Sequence, residues 1–238
     1  MTEKPTMLIT MEQRDWAFDR IAQQIMFHLA NLYKFTAIPF GEFPQLEQKR
    51  FDAVFCLWWA CFPWLDQRGL IADKVYIGLY DGFSWPDNPV FWNLIVKRAD
   101  GFAVANDRIR KRLWDGLDHE DRMRLRIVTT MDGVDFDKFH QTPLPQDFTV
   151  GWAGNSQAGG NIKGFDLIRQ AVKKTGVKLV VADSHSGVII PHDQMCETFY
   201  KKINCYVCAS AEGEGTPNPP LESLASGKPV ITTQVDYA

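Results

Sequence analysis

Residues 209–230 read ASAEGEGTPNPPLESLASGKPV, and the order of residue types there sets the architecture around them. An apolar run at 205–209 ends at Ser210, and a glycine-bearing loop follows. Two prolines open a helix at about 219–225, Ser226 and Gly227 close it, and an apolar run resumes at 230–233. Strand, loop, helix and strand in that order make one turn of a parallel α/β fold. The helix start, with Asn218 as its expected N-cap, carries unpaired N–H groups and the positive end of the helix dipole, a seat for phosphate. Glu222 falls one turn inside, where a carboxylate can accept hydrogen bonds from vicinal ribose hydroxyls. Glu214, eight positions earlier, lies back in the loop, on the side of a sugar attached beyond a diphosphate.

Working outward, the same alternation fills the chain. Strands are expected at 7–11, 35–38, 53–58, 75–79, 101–105 and 126–129. A helix at about 16–33 carries Ile21, Ile25, Leu29 and Leu32 on one stripe, and another near 107–117 repeats Ile109, Leu113 and Leu117. The segment QTPLPQ at 141–146 breaks any regular pattern. Beyond it strands are expected at 150–153, 178–182, 205–209 and 230–233, with helices at 165–174, 192–203 and 219–225. The expectation is an α/β protein of two Rossmann-like domains, 1–143 and 144–238, presenting the carboxyl ends of their strands to a cleft, where ligands of such sheets bind.

Composition narrows the classes. The 238 residues are 45% hydrophobic and 23% charged, as in an ordinary globular protein, and the net charge of −3 gives no reason to expect nucleic acid as the partner. Basic residues crowd 97–126, where a solvated helix face is favoured over a phosphate or membrane patch. The longest uncharged apolar run, 53–65, is too short to span a bilayer, and the N-terminus has no secretory pattern. Five scattered cysteines fit a reducing, cytoplasmic compartment rather than a disulfide framework. Cys205 and Cys208 lie on opposite faces of one expected strand, so they read as buried thiols and not as a metal pair.

The run E-G-x-P-N-x-x-L-E-x-x-A-x-G-x-P-V-I at 214–231 resembles the donor-site signature of retaining glycosyltransferases of family 4, which have the GT-B fold. Three further segments are similar to that family in the same order. They are 98–113 (its A-D-x-I-I-A-x-S strand and the next helix), DGVDFDKF at 132–139, and 150–171 with its glycine turn and K-G-x-x-x-L-I helix start. Coverage runs from about 7 to 233. The resemblance implies transfer of a sugar, with retained configuration, from a nucleoside-diphosphate sugar to an unidentified acceptor, without cofactor or metal. It implies that Lys163 neutralises the leaving diphosphate, Glu214 contacts the transferred sugar and Glu222 holds the ribose. Gly154, Asn155, Thr216 and Asn218 complete the donor set, with Asp81 on the acceptor side.

The sequence departs from that pattern at defined positions. Asn155 stands where the family usually has an arginine, Asp132 where it has asparagine, and Tyr80 where a histidine commonly precedes Asp81. Pro219 and Pro220 lack N–H groups, and MEQRDW at 11–16 replaces a glycine-rich loop. These positions favour a second reading, a weakly active or inactive GT-B-like module that binds a nucleotide sugar or acts as a scaffold. A nucleotide-sugar epimerase would need cleft carboxylates and histidines that sequence reasoning does not place. His28, His119, His140, His185 and His192 read as structural. Asp81 is as readily a turn residue before Gly82. Trp58, Trp59, Phe62, Trp64, Phe83, Trp85, Phe91 and Trp92 are read chiefly as core, with an acceptor platform or a peripheral membrane contact as alternatives. The chain stops after the strand at 230–233, so the C-terminal sheet is expected to leave an edge that self-association or a partner would cover.

Overall fold

A computed structural model describes residues 3–42, 49–82, 84–157, 161–187, 189–211, 215–233 and 235. Two compact units divide the chain, Met1–Met131 and Asp132–Ala238. The division falls ahead of the proline-broken segment because the residues between pack with the second unit. Phe139 is buried against its aromatic cluster, and the Lys228 ammonium donates to the carbonyls of Thr142 and Pro143.

In the first unit, six strands form one all-parallel sheet: β1 (Thr6–Met11), β2 (Lys34–Pro39), β3 (Arg50–Cys56), β4 (Ile71–Leu79), β5 (Gly101–Val104) and β6 (Arg126–Thr129). Their spatial order is β2-β1-β3-β4-β5-β6. Successive side chains of a strand point to opposite faces, and here both faces are apolar. Leu8, Val54 and Cys56 enter one buried cluster, whereas Ile9, Met11 and Leu57 enter another beneath α1 (Ala17–Leu29). That helix buries Ala22, with Phe18, Ile21 and Ile25 partly covered; Leu32, expected on the same stripe, lies beyond the helix and is exposed.

The large cluster contains Trp59, Phe62, Trp85 and Phe91, so these four aromatics are core. Phe83 lies outside the described residues. Between β3 and β4 lies α2 (Cys61–Gln67), between β4 and β5 a π-helical turn (Phe91–Val96), and before β6 come α3 (Asp107–Gly116) and α4 (His119–Arg124). The basic residues of 97–126 are largely spoken for: Lys97 pairs with Asp118 and Asp121, Arg98 with Asp66, Lys111 with Asp115 and Arg124 with Asp121. The sequence reads this stretch as a solvated helix face, and the structure adds the pairing.

In the second unit, β7 (Thr149–Gly154), β8 (Lys178–Asp183), β9 (Cys205–Cys208) and β10 (Val230–Thr232) form a parallel sheet in the order β10-β9-β7-β8. The helices are α5 (Phe165–Thr175), α6 (Met195–Thr198) and α7 (Asn218–Ala225). The expected continuous helix at 192–203 is instead a short α6 between two 3₁₀ turns, His192–Gln194 and Tyr200–Lys202. Its apolar face is nevertheless as read: Met195, Phe199 and Ile203 are all buried. Gly151 allows this close packing, since a Cβ there would come within 2.6 Å of Ile203. All five cysteines of the chain are free and buried. Among the described residues no helix is long and apolar enough to cross a membrane.

Candidate functional site

The second sheet reverses its strand order between β7 and β9, and ligands of open parallel sheets bind at the carboxyl ends of strands flanking such a reversal. The loop after β7 is fastened on both sides of that point. Toward β8, the buried Asp183 accepts from Ser156 N at 3.0 Å, Ser156 Oγ at 2.7 Å and His185 N at 3.0 Å. Burial alone would raise the Asp183 carboxyl, but these bonds outweigh it and hold the group below its ordinary range.

Toward β9, Ala211 N donates to Ile162 O at 2.7 Å. Gly164 comes so close that a Cβ would sit 2.0 Å from the Ala209 carbonyl oxygen. Its φ of +62° and the +73° of Asn161 are both left-handed, and the turn between them closes through Gly164 N to Asn161 O at 2.8 Å. Lys163 rides on this turn, half-buried at the mouth of β9. Burial pushes its ammonium below the usual lysine range, while nearby Cys208 pulls it back up. The ring of Phe165 at the start of α5 stacks on Trp152 of β7 at 4.2 Å.

Gly154 ends β7, with its carbonyl accepting from Ser184 N, and Asn155 Oδ1 accepts from Gln157 N in a local turn. Thr216 Oγ1 donates to Asp132 Oδ2 at 2.5 Å, which joins the DGVDFDKF segment to the loop before α7. Burial raises the Asp132 carboxyl and the Thr216 bond partly offsets that. Asn218 is not the N-cap expected of it. It is the first residue of α7, Pro217 holds the cap position, and no side chain caps the helix. The prolines explain the shift: their fixed φ is already helical, so the helix forms without a capping side chain. Glu214 lies outside the described residues, as do Glu212 and Gly213.

Glu222 is buried on α7. Its Oε2 accepts from Tyr200 Oη at 2.8 Å, and its Oε1 lies 2.9 Å from His192 Nε2. Tyr200 Oη also lies 3.2 Å from the Pro219 carbonyl, and burial, followed by the Glu222 charge, raises its phenol well above the ordinary range. Phe139 closes the cluster, its ring edge-to-face with both His192 and Tyr200. The sequence reads His192 as structural and gives Tyr200 no mark. They lie 30 and 22 residues from Glu222, and no local periodicity links them.

In the first unit, Asp81 follows β4 and spends both carboxylate oxygens on its own loop, accepting from Ser84 N and Ser84 Oγ at 2.7 Å each. Trp59 Nε1 donates to the same Ser84 hydroxyl, and Trp85 Nε1 donates to the Asp81 carbonyl. These bonds tie the loop to the aromatic core beneath it.

Two all-parallel Rossmann-like units, the second with a lysine-bearing turn at its strand-order reversal, place the chain among proteins of GT-B-like architecture. No protein-family profile and no curated protein sequence matches it. Solved structures do. A GtfA/B complex is similar at 17% identity and a TM-score of 0.50, over 82% of this chain and 44% of that one. TarM is similar at 14% identity and 0.52, over 78% of this chain and 41% of that one. MnaA from S. aureus, solved with UDP, is similar at 13% identity and 0.52, over 96% of this chain and 79% of that one. At such identities the likeness shows the fold. The chain spans less than half the length of the first two.

Proposed function

We propose that the chain binds a nucleoside-diphosphate sugar at the strand ends of its second unit and transfers the sugar to an acceptor with retained configuration. The observation that carries this reading is the interlock of Gly164 with Ala209 and of Ile162 with Ala211. It seats the Lys163 turn beside the segment that runs in sequence toward Glu214, Thr216 and Glu222. The MnaA–UDP structure supports a nucleotide as the ligand of this fold. When the bond between the anomeric carbon and the β-phosphate oxygen breaks, negative charge gathers on the diphosphate. A pre-placed ammonium with little competing water stabilises that charge. In this reading Lys163 supplies the ammonium, Glu214 contacts the sugar hydroxyls, Glu222 accepts from the ribose, and Asp81 lies on the acceptor side. The transfer uses no metal, and the five buried free thiols suit a cytoplasmic setting.

A second reading, a module that binds without turnover, draws support from Glu222, whose oxygens already meet Tyr200 and His192. The GtfA/B complex is a multi-subunit precedent for the fold. The His192–Glu222 pair also supplies one histidine and one carboxylate of the kind an epimerase needs. One assay separates these readings: a panel of nucleotide sugars incubated with the wild type, Glu214→Gln and Lys163→Ala. Release of nucleoside diphosphate that both substitutions abolish supports the transferase. Binding without turnover supports the module, and an epimerised donor supports the epimerase. No binding of any donor would remove the site assignment.

A further inference from the structure

Behind α7, at the end away from Asn218, three ligand-type side chains of the second unit converge. His140 Nε2 lies 3.3 Å from Glu197 Oε1, and these two atoms and Cys196 Sγ all fall within 4.8 Å of one another. We propose that His140, Cys196 and Glu197 bind a divalent transition-metal ion of borderline softness, such as Zn²⁺, which pins the segment at 132–143 to α6.

The donor set suits that class of ion. Imidazole, thiolate and carboxylate are all zinc ligands, with bonds of about 2.0–2.3 Å. Tetrahedral ligation at those lengths spaces ligand atoms by roughly 3.4 Å. The His140–Glu197 separation is already near that value. The remaining closure falls to the exposed His140 and Glu197 side chains. Glu197 is oriented for the task. Lys201 Nζ holds its Oε2 at 2.8 Å, which leaves Oε1 facing His140.

Cys196 Sγ now lies 3.4 Å from the His140 carbonyl and 3.7 Å from Ser226 Oγ, at the C-cap of α7. The negative end of that helix dipole favours a cation there. On binding, the thiol proton passes to solvent, a sulfur–metal bond forms, and water fills the fourth position. Nothing in the sequence spacing advertises the site. His140 stands 56 residues from Cys196, and the other two ligands are adjacent on a four-residue helix. The inference stands independently of the donor site.

The test uses the full chain, stripped with a chelator and titrated with Co²⁺. A near-ultraviolet thiolate-to-cobalt charge-transfer band should rise to saturation at one equivalent and be displaced by Zn²⁺. Cys196→Ser should abolish the band, and His140→Ala and Glu197→Gln should each weaken Co²⁺ binding at least tenfold. Zn²⁺ should raise the Tm of the wild type and leave that of His140→Ala unchanged. Absence of the band at saturating Co²⁺, or its survival in Cys196→Ser, overturns the proposal. Should Cys196→Ser fail to fold, the exposed His140 and Glu197 carry the test, and unchanged Co²⁺ affinity in both variants overturns it equally.

Discussion

The two units wind their strands in the same way: β2-β1-β3-β4 in the first is repeated as β8-β7-β9-β10 in the second. Each therefore reverses strand order next to its first strand, yet the two reversal points differ chemically. In the first unit apolar groups crowd the ends of β1 and β3. Leu57 and Cys61 are wholly buried, Cys61 Sγ donates to the Met11 carbonyl, and α2 starts soon after β3. In the second unit the corresponding loops bring Asn155, Ser156, Lys163, Asp183 and Thr216 to the strand ends. Topology offers a crevice in both units; the side chains at the strand ends decide which of them can hold a polar ligand.

Paired glycine substitutions should have the largest effect and separate the two regions. Gly164→Ala forces a Cβ onto the Ala209 carbonyl at a φ of +62° and should cost about 2–4 kcal/mol in urea unfolding, with loss of nucleotide binding. Gly78→Ala in the first unit meets the Leu57 carbonyl at 2.8 Å. It should destabilise comparably yet leave the affinity of the folded protein for nucleotide unchanged. Equal loss of affinity in both variants would break the comparison.

Lys163 gives a smaller, pH-dependent effect. Lys163→Ala should weaken uridine diphosphate binding by about 10- to 100-fold, the worth of a charge-assisted contact. Because burial lowers the lysine pKa, wild-type affinity should fall as pH rises through that depressed value, before an ordinary lysine would titrate. Stability moves the other way. The unfolded chain binds more protons between the depressed and the ordinary values, so unfolding free energy rises with pH across that window. Lys163→Arg should flatten the affinity profile in calorimetric titrations.

The smallest effect concerns Asp132. Its raised pKa means that the folded state holds a proton longer than the unfolded chain, so stability declines as pH climbs from the ordinary carboxylate range to the raised value. Asp132→Asn keeps an acceptor for Thr216 and removes that decline. At neutral pH it should be at least as stable as the wild type, within about 1 kcal/mol, by thermal unfolding across the pH range.

The ten strands of the described residues were legible by the apolar runs that a parallel sheet writes, although β4 begins at Ile71, ahead of its run, in the charged stretch IADK. Short helices left no such mark. In α2, CFPWLDQ is apolar almost throughout its first two-thirds, and α4 is a single charged turn and a half, so neither displays a helical period. The segment at 192–203 shows its buried face by four-residue spacing but not the break at Phe199, whose φ of −114° and ψ of −62° follow from packing on Gly151 and Tyr206. At the site, Lys163 was singled out by the resemblance that 150–171 carries, and the fold sets it on the left-handed turn between Asn161 and Gly164. The Asp132–Thr216 bond and the His192–Glu222–Tyr200 cluster were not, because each joins segments that only the fold brings together.

On the proposed function, the second unit's reversal point, and not the first's, receives a nucleoside diphosphate. Amide hydrogen exchange of the full chain with and without saturating uridine diphosphate tests it most directly. Added protection is expected at 154–157, 161–164 and 209–211, with 11–16 and 57–62 unchanged. Protection confined to 11–16 and 57–62, or none at any of these segments, would contradict it.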